Sequence, residues 1–354
     1  MKILSIVGAR PQFVKLAPIA HALEATGDDH VIVHTGQHYD AKMSDVFFDD
    51  LGIPAPDVHL GVGSGSHGVQ TGAMLGALDA VLLEHRPDWV LVYGDTNSTI
   101  AGALSAVKLH IPLAHLEAGL RSFNRRMPEE HNRVLTDHAA DLCLAPTEVA
   151  MGHLRAEGLG DRSVLTGDVM TDVCLSTAAN VRDGQPPVPE GVATGDFVLS
   201  TIHRAENTDD PTRLRMIIEG LASLPHPVVL TAHPRLVVKA REHGIPLDQG
   251  SLHTVEPFDY PAMVAAISHA RAVVTDSGGL QKEAFLLRTP CTTVRTETEW
   301  TETVALGWNV LVDDLSTLTA VVDREAPPRT DASPYGTGAA AEATVRTLRQ
   351  RMVG

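Results

Sequence analysis

The chain has 354 residues, 44% hydrophobic and 20% charged, a composition that supports large apolar cores and argues against disorder. Its formal net charge of −16 opposes binding to a nucleic-acid backbone or an anionic membrane. Cys143, Cys174 and Cys291 are too few and too scattered for a disulfide framework and lack zinc-ligand spacing; they read as small core residues in a reducing compartment. No apolar run is long enough to span a membrane, and the amino terminus lacks a signal-peptide pattern, so the expected location is the cytoplasm.

Short apolar runs at residues 2–7, 31–35, 89–93, 113–116, 142–145 and 164–166 predict strands. Their unbroken apolar character suits parallel strands covered on both faces. Between them, residues 14–25, 69–84, 98–109, 130–139 and 149–157 predict helices. Gly27, Gly52 and Gly158 stand where a left-handed helix end favours glycine. Residues 183–192 carry three prolines and two glycines and predict a surface loop. Strand signals resume at 197–202, 228–231, 252–255, 272–275, 292–294 and 310–312, and residues 337–352 predict a closing helix. This β-α alternation predicts two doubly wound α/β domains. The expected boundaries are residues 1–170 and 171–337, with a helix over 338–354 packing back on the first. Ligands of such sheets bind beyond the carboxyl ends of the strands, so residues just after each strand are the site candidates.

With so acidic a chain, an anionic ligand needs basic groups concentrated locally. Gly8-Ala9-Arg10-Pro11-Gln12 follows the first strand, with Lys15 one turn into the helix. Glycine permits a tight turn, and the two bases suit a phosphate or a solvated surface equally. Three acidic positions follow later strands: Asp95 in Gly94-Asp95-Thr96, Glu117 in His115-Leu116-Glu117-Ala118-Gly119-Leu120-Arg121, and Glu129 in Pro128-Glu129-Glu130-His131-Asn132-Arg133. Asp95 alone reads as a helix cap, and Glu129 and Glu130 as partners of a helix dipole. Gathered at one rim, one of them becomes a candidate base. In the second domain, His203-Arg204-Ala205-Glu206 follows the first strand and His233-Pro234-Arg235 the second. Thr275-Asp276-Ser277-Gly278-Gly279-Leu280-Gln281-Lys282-Glu283 runs a strand into a helix. Its glycines let backbone N–H groups approach an anion, and Glu283 is placed to accept from a ribose. His21, His30, His59, His226 and His243 read as surface or loop residues.

In this order and over essentially the whole chain, these motifs resemble the non-hydrolysing UDP-N-acetylglucosamine 2-epimerases. The resemblance implies two Rossmann-like domains facing across a cleft in the GT-B-like manner. It implies interconversion of UDP-GlcNAc and UDP-ManNAc without a cofactor or metal, and a homodimer. Asp95, Glu117 and Glu129 then match catalytic carboxylates, and His203 a histidine near the diphosphate. Arg10, Lys15, Arg133, Arg204 and His233 match substrate or phosphate contacts. Ser277, Gly278, Gly279 and Glu283 match the UDP-binding turn and ribose contact.

The implied chemistry uses these residue types. The weakly acidic C2 loses its proton as UDP leaves C1, giving 2-acetamidoglucal. UDP then returns while a proton arrives on the opposite face. Carboxylates exchange those protons and steady positive charge on the sugar, and cations hold the departing diphosphate. Four departures bear on substrate and regulation. Gln37-His38-Tyr39-Asp40-Ala41-Lys42-Met43 lacks the glutamine pattern of substrate-activated relatives. Met263 replaces an aromatic residue beside the nucleotide. Glu299-Trp300-Thr301-Glu302 replaces Glu-Arg-Pro-Glu, as in relatives using modified UDP-sugars, and Lys282 replaces an acidic residue. A hydrolysing epimerase, an epimerase of a modified UDP-2-acetamido sugar and a glycosyltransferase of the same fold are the alternatives.

Overall fold

A computed structural model of the chain describes residues 1–37, 52–182 and 184–352. It divides into two compact units, Met1–Val173 with Ser333–Gly354, and Cys174–Ala332.

The first unit is built on seven parallel strands: β1 (Lys2–Val7), β2 (Asp29–His34), β3 (Val58–His59), β4 (Trp89–Tyr93), β5 (Leu113–Leu116), β6 (Leu142–Ala145) and β7 (Ser163–Leu165). Their order is β3-β2-β1-β4-β5-β6-β7, so the winding reverses between β1 and β4 and opens a crevice there. Connecting helices are α1 (Arg10–Ala25), α2 (His67–His85), α3 (Asn97–Lys108), α4 (Pro128–Ala139), α5 (Glu148–Ala156) and α6 (Val169–Val181), the last running on into the second unit. Burial explains the unbroken apolar strands: Ile3, Val7, Leu91 and Leu116 pack on one face, and Leu4, Ile6, Val90 and Val92 on the other. Strand β3 has two residues and too little apolar signal to be predicted.

The last helix, α14 (Ala340–Arg351), closes this unit by packing Ala340, Ala341, Val345 and Leu348 into the core beneath α1. Its first amides, from Ala340 and Ala341, donate to the Asp172 carboxylate at 3.0 and 2.8 Å. Near its end, Arg349 reaches Asp28, which also accepts from the N-terminal ammonium at 2.9 Å. Burial alone raises the Asp28 carboxyl, but Arg349, the ammonium and Thr26 outweigh it and hold the group at about 2.

The second unit repeats the design with six parallel strands, β8 (Val198–Thr201), β9 (Val228–Thr231), β10 (Leu252–Val255), β11 (Ala272–Thr275), β12 (Cys291–Thr293) and β13 (Asn309–Leu311). The order β10-β9-β8-β11-β12-β13 places its reversal between β8 and β11. Its helices are α7 (Ala205–Thr208), α8 (Pro211–Ala222), α9 (Pro234–Glu242), α10 (Tyr260–His269), α11 (Gly278–Leu286), α12 (Thr301–Ala305) and α13 (Leu318–Val322). Residues 184–192 form the expected loop, and all three cysteines are free and buried. Among the described residues, no helix is long and apolar enough to cross a membrane.

Candidate active site

In the first unit the polar residues gather at the β1/β4 reversal. The buried Gln12 side chain accepts from the Gly8 and Ala9 amides at 2.8 and 3.1 Å and donates to the Tyr93 carbonyl at 2.9 Å. It therefore ties the start of α1, which Arg10 opens, to the end of β4. One turn on, the Lys15 ammonium meets the Glu117 carboxylate. Burial would lower the Lys15 pKa, but Glu117, with Asp95 and Asp168 behind it, raises it above the usual 10.5. Glu117 has φ +68°, a left-handed conformation that costs a non-glycine residue about 1 kcal/mol or more. Gly94, at φ +61°, lies beneath the ion pair: a Cβ there meets Glu117 Oε2 and Lys15 Nζ at 3.3 Å each.

Asp95 follows Gly94 and accepts from Arg133 of α4 at 2.5 Å. The Asn132 amide holds the Asp95 carbonyl at 2.9 Å. Glu129 stands one turn before Arg133 on the same face of α4 and, among the described residues, makes no side-chain hydrogen bond or ion pair. Its neighbour Glu130 differs: it is buried and accepts from Ser122 N, Ser122 Oγ and Phe123 N at 2.8–2.9 Å. Burial raises its carboxyl, yet these bonds and Arg133 bring it below the ordinary value. Glu130 folds the loop; Glu129 is left available.

Under this cluster lies a buried polar core. His115 is fully buried, with Nδ1 2.6 Å from Asp137 Oδ1 and Nε2 2.7 Å from the Gly94 carbonyl. The other Asp137 oxygen accepts from Gly119 N at 3.0 Å and Arg121 at 2.7 Å, and Arg121 binds Glu157 through two bonds of 2.8 Å.

In the second unit, Asp276 organises the β8/β11 reversal. It is fully buried and accepts from the amides of His203 and Arg204 and from the Asn207 side chain at 2.9–3.1 Å. His203 is thereby fixed beside His233, their rings 5.4 Å apart. Burial is the largest influence on the His203 imidazole and lowers its pKa below 6.5; Asp276 opposes this, and His233 and Arg204 add to it. Ser277 is the N-cap of α11, with its side chain making no cap bond. Arg204 lies 4.0 Å from Glu299, which also pairs with Arg295 at 2.9 Å. Lys282 sits 4.4 Å over the Trp300 ring. Glu283 is buried on α11, and its carboxylate helps burial push the Tyr260 phenol above its usual value. Met263 packs partly buried against the neighbouring core.

The structure thus brings Lys15, Asp95, Glu117 and Arg133 together at one rim, and His203, Arg204, His233 and Ser277 around the other sheet's reversal. Three readings of the sequence change. Gly8 serves packing rather than a tight turn: a Cβ there falls 1.9 Å from Thr35 Oγ1 and 2.4 Å from Ser98 Oγ. His30 belongs to strand β2, bonds Ser5 at 2.8 Å and is lowered by burial to about 4. The sequence reading also missed Asp168, a buried acid after β7 with no motif around it except Gly167. Residues 38–43, most of the segment that departs from the pattern of substrate-activated relatives, lie outside the described residues. Gln37 itself caps α3, accepting from Ser98 N and Oγ at 3.0 and 2.7 Å.

A sequence-family profile for UDP-N-acetylglucosamine 2-epimerase spans residues 21–349. The Pseudomonas aeruginosa UDP-2,3-diacetamido-2,3-dideoxy-D-glucuronate 2-epimerase is 49% identical over 320 residues, 88% of each chain. The Methanocaldococcus jannaschii UDP-N-acetylglucosamine 2-epimerase is 41% identical over 365 residues, covering 98% of this chain and 99% of that one. A crystal structure of Methanocaldococcus jannaschii UDP-GlcNAc 2-epimerase in complex with UDP-GlcNAc and UDP superposes with TM-score 0.81 at 39% identity. It covers 99% of this chain and 100% of that one.

Proposed function

The chain belongs to the UDP-N-acetylglucosamine 2-epimerase family, and from that premise we propose that it interconverts UDP-GlcNAc and UDP-ManNAc in the cytoplasm. The observation that carries this reading is the rim of the first unit, where Lys15 meets Glu117 and Arg133 meets Asp95. Carboxylates and cations paired at one rim are the groups a proton-exchange step on a sugar uses.

In this reading a carboxylate among Asp95, Glu117 and Glu129 removes the C2 proton while the C1–oxygen bond breaks. The electron pair of the C2–H bond becomes the second bond of 2-acetamidoglucal, and UDP carries off the C1–O pair. UDP oxygen then re-adds to C1 as C2 takes a proton on its other face. His203, Arg204 and His233 hold the diphosphate, with Ser277, Gly278 and Gly279 offering amides at the start of α11; the Arg10 side chain lies outside the described residues. Glu283 takes the ribose and Met263 the base. No step calls for a cofactor. The reading includes a homodimer, supported by the exposed α2 face of Val69, Gly72, Ala73, Gly76, Ala80 and Leu83.

A second reading keeps the chemistry and changes the sugar to a 2,3-diacetamido glucuronate. The 49% identical relative supports it, as does Trp300 under Lys282 where the sequence departs from Glu-Arg-Pro-Glu. Incubating the protein with each UDP-sugar in D2O tests both readings. Deuterium at C2 of an intact UDP-sugar is expected, and the sugar with the higher kcat/KM identifies the substrate. Release of free UDP and free sugar selects a hydrolysing enzyme. Turnover only with an acceptor, without C2 exchange, selects a glycosyltransferase.

A further inference from the structure

We propose that His115 is a positioning residue, locked as the doubly protonated imidazolium, that holds the Gly94 carbonyl and thereby aims the neighbouring Asp95. The inference rests on the reading of Asp95 as a reacting group.

The hydrogen-bond geometry carries it. Asp137 Oδ1 lies 2.6 Å from Nδ1, and the Gly94 carbonyl oxygen lies 2.7 Å from Nε2. A carboxylate and a carbonyl both accept, and neither brings a hydrogen. A neutral ring can donate to only one of them, leaving its other nitrogen lone pair against an oxygen at hydrogen-bond distance. With the side chain fully buried, no water relieves that clash. Donation through both nitrogens satisfies both contacts.

Charge balance supports the same state. Asp137 faces His115 and Arg121, and Arg121 in turn faces Glu157, so two cations alternate with two anions. Across the sheet, His115 pairs with Val92 on β4 and Cys143 on β6. The Cys143 thiol is pushed up to about 12 by burial and by Asp137, and so adds no charge.

The position gives the network its purpose. His115 lies two residues before Glu117, its Nε2 grips the residue before Asp95, and Asp137 belongs to the helix that presents Glu129 and Arg133. One buried ring therefore ties together the three elements that carry the three candidate carboxylates. A core histidine serving only to fill space has no reason to join those three points.

Two measurements test this. In the wild-type protein, 15N NMR of the His115 ring is expected to show both nitrogens protonated from pH 6 to pH 9. A single protonated nitrogen at pH 7 overturns the proposal. In the second, His115→Gln, which offers one amide donor group, is expected to lower kcat for C2 exchange about 10²-fold while KM stays within about threefold. A folded variant with kcat within threefold of wild type also overturns it. Should His115→Gln not fold, Asp137→Asn gives the same readout: a neutral ring spectrum and reduced kcat support the proposal, and an unchanged kcat overturns it. If the wild type exchanges C2 of neither UDP-sugar, the epimerase reading has failed, and the ring spectrum still decides the protonation state.

Discussion

Arg133 meets Asp95 at 2.5 Å from a position one helical turn beyond Glu129, so a single face of α4 presents both a cation for one carboxylate and a second carboxylate that is unpaired among the described residues. The spacing of four residues makes this possible, because such residues lie one above the other on a helix. The guanidinium fixes the Asp95 carboxylate in place, while Glu129 is the candidate for proton exchange with the sugar.

That division of labour predicts different losses. Arg133→Ala removes the partner of Asp95 and is expected to reduce C2 exchange about 10²-fold, and Glu129→Gln about 10²–10⁴-fold, with fold retained by circular dichroism. Wild-type rates in Glu129→Gln would remove Glu129 from the chemistry.

The Lys15–Glu117 pair gives a test in the titration of the lysine. Glu117 is the main group opposing burial at Lys15. In Glu117→Gln the larger part of that opposition is lost, so the Lys15 pKa is expected to fall from its raised wild-type value, read by NMR of the ammonium. Because the wild-type value is raised, the pair's contribution to stability is complete below pH 10.5 and fades as pH rises through the folded value. An unshifted lysine in the variant would show that the pair is not coupled.

Gly278 and Gly279 are adjacent but not equivalent. A Cβ on Gly278 lands 2.6 Å from Glu299 Oε1, whereas one on Gly279 meets nothing within 4 Å. Gly278→Ala displaces the half-exposed end of the flexible Glu299 side chain and is expected to weaken its pairing with Arg204 and Arg295 at little cost to the Tm of the free protein. Gly279→Ala leaves that Tm nearly unchanged or slightly higher, since alanine favours a helix by about 1 kcal/mol. Its cost appears with nucleotide: about tenfold weaker UDP binding by calorimetry, a loss of about 1.4 kcal/mol, is expected if the ligand sits over that amide. Full UDP affinity in Gly279→Ala places the nucleotide elsewhere.

Asp172 and Asp28 fasten the two ends of α14, and each predicts an effect on stability. Asp172→Ala removes acceptors from two terminal amides and is expected to cost about 1–2 kcal/mol in urea unfolding. Asp28 has a depressed carboxyl, so its contribution is present above pH 3.8 and is lost as pH falls through about 2. Asp28→Asn should therefore lower stability at pH 7 and flatten its decline between pH 4 and pH 2.

The sheets were legible because most of their strands are buried on both faces, so residues 89–93, 113–116, 142–145, 228–231 and 272–275 carry a largely apolar signal and match the strands residue for residue. Helix starts were less so: α1 begins at Arg10, four residues before its apolar face, because Pro11 and the Gln12 bonds to Gly8 and Ala9 set the turn. Motifs near the strand ends identified Lys15, Asp95, Glu117 and Arg133, but could not pair them. Glu129 and Glu130 look alike in sequence, and only the amides of Ser122 and Phe123 separate them. Gly8 has no room for a side chain because of Thr35 and Ser98, distant in sequence, which no local pattern reports.

The closing helix has a consequence for synthesis. Ala340, Val345 and Leu348 complete the core that Ile3, Leu16 and Ile19 begin. A ribosome therefore delivers every residue of the internal unit before it supplies the final pieces of the outer one. The amino-terminal sheet must wait, part of its apolar face uncovered beside α1, until residues 340–351 have emerged. A chain released short of residue 340 leaves that face open to other chains, which makes α14 a safeguard against aggregation.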